Sequence, residues 1–115
     1  MTVINVKKVT DNDRVSPVGG EKLGKKVSLE IKKTNQKIII DFSESGSHTS
    51  LFFNAFYGFL FKNDSENIKD IISKIELTNL TKLDIGTSEK CRENSTRQYS
   101  DNEYRVSIEN LGYEE

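Results

Sequence analysis

The sequence predicts an α/β protein with a small mixed β-sheet and helices packed on it. A run of β-branched residues from Ile38 to Ile40 is typical of a strand that is covered on both faces. A polar loop follows, and an almost wholly apolar block then extends from Leu51 to Phe61 with the composition of a buried helix. The length of 115 residues favours one domain, over residues 1–115, that buries its own core.

The amino-acid composition narrows the kinds of function that the protein can have. Hydrophobic residues make up 34% of the chain and charged residues 30%, which is lean but globular. The net charge of −1 hides an asymmetry, because residues 1–40 hold nine Lys and Arg against four Asp and Glu, and the remainder holds eight against fourteen. Such an asymmetry can orient a protein partner. No basic cluster is combined with stackable aromatic residues, so we expect no nucleic-acid binding.

Cysteine and histidine are scarce. Cys91 is the single cysteine, which excludes an internal disulfide, and with one histidine it makes a poor metal ligand set. We therefore expect neither a metal nor another cofactor. The N-terminus lacks the pattern of a signal peptide, and the longest apolar block is shorter than the roughly 20 residues that span a bilayer. These features predict a cytoplasmic protein without a membrane partner.

The N-terminal third is predicted as strand, loop and helix. Apolar and polar residues alternate from Met1 to Val9, which indicates a short edge strand with Lys7 and Lys8 facing outward. The Asp, Asn, Gly and Pro residues between Thr10 and Gly20 predict a loop. Glu21 to Lys33 fits both the helical and the strand period. We predict a helix, because Lys and Glu fill the intervening positions and the buried strand that follows needs a cover.

The glycines before this helix nearly match a phosphate-binding loop. Gly19 to Lys26 has the glycine spacing, but Lys26 stands where Ser or Thr must hold magnesium, and no buried strand precedes the motif. We therefore interpret these glycines as permitting a tight turn into the helix.

The centre of the chain carries a strand from Lys37 to Phe42 and a helix from Leu51 to about Lys62. Asp41 ends the strand, at the sheet edge where sites of α/β proteins usually lie. Ser50, or Thr49, is a suitable N-cap for the helix. One stripe of this helix is not apolar and recurs every four residues: Ser50, Asn54, Gly58 and Lys62. We interpret Asn54 and Gly58 as a close helix contact inside the monomer, with a dimer contact as the alternative.

The C-terminal half is predicted as helix, strand and helix. Asp64 or Ser65 caps a short helix over Ile68 to Ile72, and Ile75 to Leu77 form a third strand. A last helix extends from Thr81 to about Tyr99. Its weakly apolar face is Leu83, Thr87, Cys91, Ser95 and Tyr99. Tyr104, Val106 and Ile108 alternate as in a final short strand, with fraying of the acidic residues 101–115 as the alternative.

Three blocks of this layout are similar to one family. Ile38 to Phe42 is an apolar strand that ends in Asp-Phe, Ser50 to Leu60 begins a helix with Ser and Phe before Asn and Gly, and Ile75 to Leu80 is a strand followed by Asn-Leu. In these blocks, within residues 19 to 100, the chain resembles the STAS domains, the fold of the anti-sigma-factor antagonists. It resembles most specifically the STAS-like family of unknown function.

The resemblance implies a non-enzymatic regulatory module whose partner is an ATPase or a kinase-like protein. Antagonist-type STAS domains carry a phosphorylatable Ser at the start of this helix, and Ser50 is the matching position. A helix N-terminus favours a phosphate group. However, Thr49 stands where an Asp commonly precedes the phosphoserine, and Leu51 and Phe52 stand where small residues keep the helix start open. We therefore interpret Ser50 as an N-cap and keep its phosphorylation as the alternative.

His48, the only histidine, lies between Asp41 and Ser50, which suggests a Ser-His-Asp site. The strained G-x-S-x-G turn of such nucleophiles is absent, so we expect His48 to be an exposed loop residue.

Docking of a protein partner is the function that we predict, through residues 43–50, here named the docking loop, and the start of the following helix. We expect Asp41 to hold this loop by accepting its backbone N–H groups. The predicted partner-binding residues are Asp41, Ser47, His48, Thr49, Ser50 and Asn54. A regulator of bacterial origin and a phage or mobile-element inhibitor of a host complex fit equally. Two alternatives stay open: a small ligand-binding or enzymatic protein with a site at Asp41, His48 and Ser50, and a homodimer through the aromatic helix 51–61.

Overall fold

The computed structural model describes residues 2–100, so the predicted strand at Tyr104 to Ile108 lies outside the described residues, as does the predicted fraying of 101–115. Within residues 2–100, three strands and five helices follow one another in an α/β order. They are β1 (Thr2–Asn5), α1 (Val6–Val9), α2 (Pro17–Lys33), β2 (Ile38–Asp41), α3 (Ser50–Lys62), α4 (Ile68–Lys74), β3 (Ile75–Thr78) and α5 (Lys82–Ser100), with a 3₁₀ turn at Ser65–Asn67 before α4. The predicted α/β class is confirmed.

The sheet is parallel in the order β1-β2-β3, and helices connect its strands. Ile40 of β2 pairs with Ile4 on one side and with Leu77 on the other. Because side chains alternate along a strand, these three residues share the face that joins the helical core. The expectation that β2 is covered on both faces is wrong: Ile39 is only partly buried, and its neighbour Val3 on the same face is 61% exposed.

Helix α3 is the centre of the core. Five of its six aromatic side chains are fully or almost fully buried between the sheet, α2 and α5: Phe52, Phe53, Phe56, Tyr57 and Phe61. The apolar composition that predicted a buried helix is explained by this position, since helices cover α3 on more than one side. Within residues 2–100 no helix combines the length and apolarity needed to cross a membrane.

The N-terminal prediction is wrong beyond residue 5. The strand ends at Asn5, whose side chain accepts a hydrogen bond from the backbone N–H of Lys8 at 2.9 Å and so caps the short helix α1. Lys7 and Lys8 are exposed, as predicted, but on a helical turn. The edge position of β1 is confirmed.

Helix α2 begins at Pro17, within the segment that was predicted to be a loop. Proline suits the first turn of a helix because its missing N–H has no partner there. Gly19 and Gly20 therefore lie inside the helix and form no turn, which corrects that interpretation. A Cβ atom on Gly20 would lie 2.1 Å from the carbonyl oxygen of Phe52, and one on Gly24 would lie 2.9 Å from Cβ of Phe59. These glycines let α2 approach α3 closely.

Helix α5 has the predicted extent, and its predicted face is confirmed in part. Cys91 and Ser95 of that face are buried, but Leu83, also predicted to face the core, is 68% exposed. Asp84 and Ser88, which were not predicted, are buried as well. Polar groups occupy this face because they hydrogen-bond to the docking loop and to α3.

Candidate functional site

The docking loop starts at a polar cluster on the carboxyl ends of β2 and β3. Asp41 Oδ1 accepts hydrogen bonds from the backbone N–H of Ser43 at 2.9 Å, from the Ser43 hydroxyl at 2.6 Å and from the Asn79 amide at 2.9 Å. The predicted role of Asp41 is thus borne out for one loop N–H group. The Asn79 amide and the Ser43 hydroxyl favour the charged form, so they lower the pKa of Asp41 below its usual value.

His48 is buried, although the sequence predicted exposure. Its side chain has no exposed surface, and its ring lies among the rings of Phe42, Phe52 and Phe53, with centroids 4.6 to 5.8 Å away. A charged or polar ring in such surroundings must find partners. His48 finds them in Asp84, at the start of α5, and in Ser45 of the docking loop.

Asp84 fixes the orientation of His48. Its Oδ2 lies 2.7 Å from Nδ1 of His48, and the backbone N–H of His48 donates to both carboxylate oxygens at 3.0 and 3.1 Å. An ionised carboxylate only accepts, so Nδ1 carries the proton. In the neutral imidazole, Nε2 then accepts from the hydroxyl of Ser45, 2.8 Å away. These three residues form a buried chain, here named the Ser45–His48–Asp84 chain.

The far end of the docking loop is held by the segment that precedes α2. The Thr49 backbone N–H donates to the carbonyl of Arg14 at 3.1 Å, and its hydroxyl donates to the carbonyl of Val15 at 2.8 Å. Thr49 is also the N-cap of α3, because its Oγ1 accepts from the N–H of Phe52 at 3.2 Å. Ser50 is the first helical residue and is exposed, so Thr49 rather than Ser50 performs the capping.

The docking loop is thus fixed from inside while its outer side chains face solvent. Ser47 is exposed and lies 3.3 Å, hydroxyl to hydroxyl, from Thr81. Glu44 and Gly46 adopt left-handed backbone conformations, with φ of 60° and 79°. The Arg14 guanidinium covers Gly46, where a Cβ would lie 2.5 Å from Nη1.

The predicted site residues fall into two groups. Ser47, Ser50 and Asn54 are exposed. Asn54 is therefore not the buried helix contact that we expected. Gly58, the other residue of that expected contact, is partly buried and approaches the Tyr99 hydroxyl. The second group is Asp41, Thr49 and His48, whose side chains hydrogen-bond to other residues of the protein.

Sequence reasoning missed Asp84 because it lies 36 residues from His48. It included Ser45 in the docking loop but did not single it out, because His48 was expected to be exposed and to need no partner. A local signal existed at Thr81-x-x-Asp84, the pattern of a helix start, and the Thr81 hydroxyl does accept from the N–H of Asp84 at 3.1 Å. That pattern predicts a capped helix and says nothing of a histidine.

Comparison with known proteins agrees with this architecture. A family model described as "STAS-like domain of unknown function (DUF4325)" matches residues 19–84. This range begins in α2 and ends at Asp84, so it contains the whole docking loop and all three residues of the Ser45–His48–Asp84 chain. No curated protein and no solved structure matches the chain.

Proposed function

The chain belongs to the family of STAS-like domains of unknown function, and on that premise we propose that it is a non-enzymatic regulatory module that binds a protein partner. Docking uses the docking loop and the first turn of α3. The partner class that the resemblance implies is an ATPase or a kinase-like regulator in the cytoplasm. A phage or mobile-element inhibitor of a host complex would use the same surface.

Exposed apolar side chains around the docking loop carry this proposal. Leu51 follows the loop directly and is 57% exposed. Val15, whose carbonyl accepts a hydrogen bond from the Thr49 hydroxyl, is 59% exposed. Leu83, which precedes Asp84 in the chain, is 68% exposed. A rigid polar loop bordered by large apolar side chains has the composition of a protein interface, where apolar contacts are surrounded by polar groups. Its internal hydrogen bonds reduce the ordering that binding would require.

The enzymatic alternative is less well supported by the same geometry. Both ring nitrogens of His48 are already engaged, by Asp84 and by Ser45. Neither nitrogen is free to activate Ser50, and Ser45, the hydroxyl that Nε2 does contact, is only 1% exposed and so does not reach a substrate. The Oδ1 of Asp41 likewise already accepts hydrogen bonds from Ser43 and Asn79.

Affinity capture from the native cells, read by mass spectrometry, tests the proposal. The variants Leu51→Asp and Leu83→Asp place charge on the surface, and Ser50→Asp tests the effect of negative charge at the helix start. Leu29→Asp is the matched control, because Leu29 is 47% exposed on α2. We expect the wild type and the control to retain one partner that the surface variants lose while they stay folded.

Retention of that partner by all variants would assign the contact to another surface. If the folded wild type captures no protein, the ligand-binding alternative becomes the better explanation.

A further inference from the structure

The core is left open along the edge of the sheet that β3 forms within residues 2–100. Ile4, Ile40 and Leu77 make one row across the three strands. Ile4 and Ile40 are buried, at 3% and 0% exposure, whereas Leu77 at the end of the row is only partly buried. Beside Leu77 lies a groove of about 270 Å³ that is lined by further aliphatic side chains: Ile72, Ile75, Leu80 and Ile85.

The wall of this groove that α5 contributes is polar, and its charges balance. Along the groove and the cavity that adjoins it, α5 presents two acidic and two basic side chains: Glu89, Glu93, Arg92 and Arg97. Charge therefore selects no occupant. A groove with one aliphatic and one polar wall suits apolar side chains together with a tyrosine, whose hydroxyl needs a polar partner.

The backbone of β3 shows which groups are open at this edge. The N–H of Phe42, which follows β2, donates to the Thr78 carbonyl at 2.9 Å, so Thr78 directs its backbone groups toward β2. Successive residues of a parallel ladder direct these groups to opposite sides. Leu77 therefore directs its N–H and its carbonyl to the outer edge, where no strand within residues 2–100 pairs with it.

The order of the elements shows where a further strand would enter. β1, β2 and β3 lie side by side in chain order, with helices between them. α5 begins at Lys82, after the carboxyl end of β3, and its later residues lie beside Ile72 of α4, the helix that leads into the amino end of β3. The chain that follows Ser100 therefore starts near the amino end of β3, where a parallel strand begins.

The sequence after α5 has the pattern that this position requires. Tyr104, Val106 and Ile108 alternate with two polar residues, Arg105 and Ser107. Residues 101–103 are left for the connection, and a connection of this length is typical between a helix and a strand. Because β2 occupies one side of β3, a right-handed crossover through α5 reaches the open side.

We propose that residues 104–108 of this chain occupy the open edge as a fourth strand, parallel to β3. The backbone of this segment pairs with the outward groups of Leu77. Tyr104, Val106 and Ile108 enter the groove and extend the buried row of the sheet beyond Leu77. The groove is then a part of the core, and the β3 edge is closed to partners and to other copies of the chain.

Amide hydrogen exchange in the full chain, read by nuclear magnetic resonance, tests the pairing. We expect the Leu77 N–H to be protected as well as that of Ile40 in the central strand, and equally at every protein concentration. We also expect nuclear Overhauser contacts between Leu77 and residues 104–108. A Leu77 N–H that exchanges as an open edge overturns the proposal. Protection that disappears on dilution overturns it as well, because it would come from a second copy.

Substitutions in the same segment give a matched comparison. Val106→Asp places a carboxylate in the groove, so we expect the loss of Leu77 protection and a melting temperature lower by about 5 °C or more. Ser107→Asp, on the opposite face of the strand, and Leu111→Asp, outside it, should change neither quantity. If Val106→Asp does not fold, Val106→Ser replaces it in this comparison. The proposal is overturned if the Val106 variant has no effect, or if Leu111→Asp has an equal one.

Discussion

At the scale of single residues, burial decides what a side chain does. His48 looks like an exposed loop residue in the sequence, yet it is enclosed by aromatic rings and connects Ser45 to Asp84. Asp84 accepts hydrogen bonds from both the backbone and the ring of this one residue. The docking loop and the start of α5 are therefore joined by a buried charge, and separating them would leave the carboxylate without its partners.

Removal of His48 should be costly. We expect His48→Ala to lower the free energy of unfolding by about 3 kcal/mol or more, since it leaves the Asp84 carboxylate buried without its main partner. The double variant His48→Ala with Asp84→Ala should lose less than the sum of the two single changes, because the unpaired charge is removed too. Urea unfolding measures all three, with exposed Ser47→Ala as the control, expected to change stability by less than about 0.5 kcal/mol. Additive losses would show that the two residues act independently.

A second prediction at the residue scale concerns how the stability that Asp41 contributes depends on pH. Its hydrogen bonds lower the pKa of the folded carboxyl below the ordinary value of 3.8, so its contribution is present above that value and is lost as the pH falls through the lower, folded pKa. We expect Asp41→Ala to be destabilised by about 1 kcal/mol near neutral pH and by progressively less below about pH 4. Unfolding curves from pH 7 to pH 2 measure this difference. A difference that stays constant with pH would contradict it.

At the scale of elements, the distance between α2 and α3 is set by glycine. Gly20 and Gly24 have φ values open to any residue, so their role is space rather than backbone freedom. The sequence shows glycines near the start of a helix but not the neighbour that they approach. Only the packed pair of helices shows why a side chain is excluded there.

Gly20→Ala should therefore destabilise the protein although alanine favours helix. The added methyl group would meet the backbone carbonyl of Phe52, which cannot move without shifting α3, and we expect a loss of about 1 to 3 kcal/mol. Gly86→Ala is the matched control, because nothing lies within 4 Å of a Cβ at that exposed helical position. It should stabilise by up to about 1 kcal/mol. Thermal unfolding compares the two, and equal gains in both variants would contradict close packing at Gly20.

At the scale of the whole molecule, the docking loop links parts of the chain that are far apart in sequence. It donates hydrogen bonds to the segment before α2 through Thr49 and to Asp84 of α5 through His48. Helix α5 is also tied to α3, where the Tyr57 hydroxyl lies 2.7 Å from that of Ser88. Burial raises the pKa of this tyrosine, so it remains a neutral hydrogen-bonding group.

These links predict one cooperative unfolding transition. The chain has four Tyr and no Trp, so tyrosine fluorescence reports tertiary packing while circular dichroism reports the helices. We expect the two melting curves to coincide, because α5 cannot leave without opening the core. An earlier transition in fluorescence would show that α5 detaches first.

The sequence by itself determined the α/β class, the central strand and the buried helix, because apolar periodicity and β-branched runs are local consequences of which faces are buried. It also determined that Asp41 ends a strand and that a polar loop follows. Only the tertiary structure decided which polar residues meet. The Ser45–His48–Asp84 chain and the close approach at Gly20 join residues that are distant in sequence, and no local pattern encodes a contact whose energy depends on a partner brought in by folding.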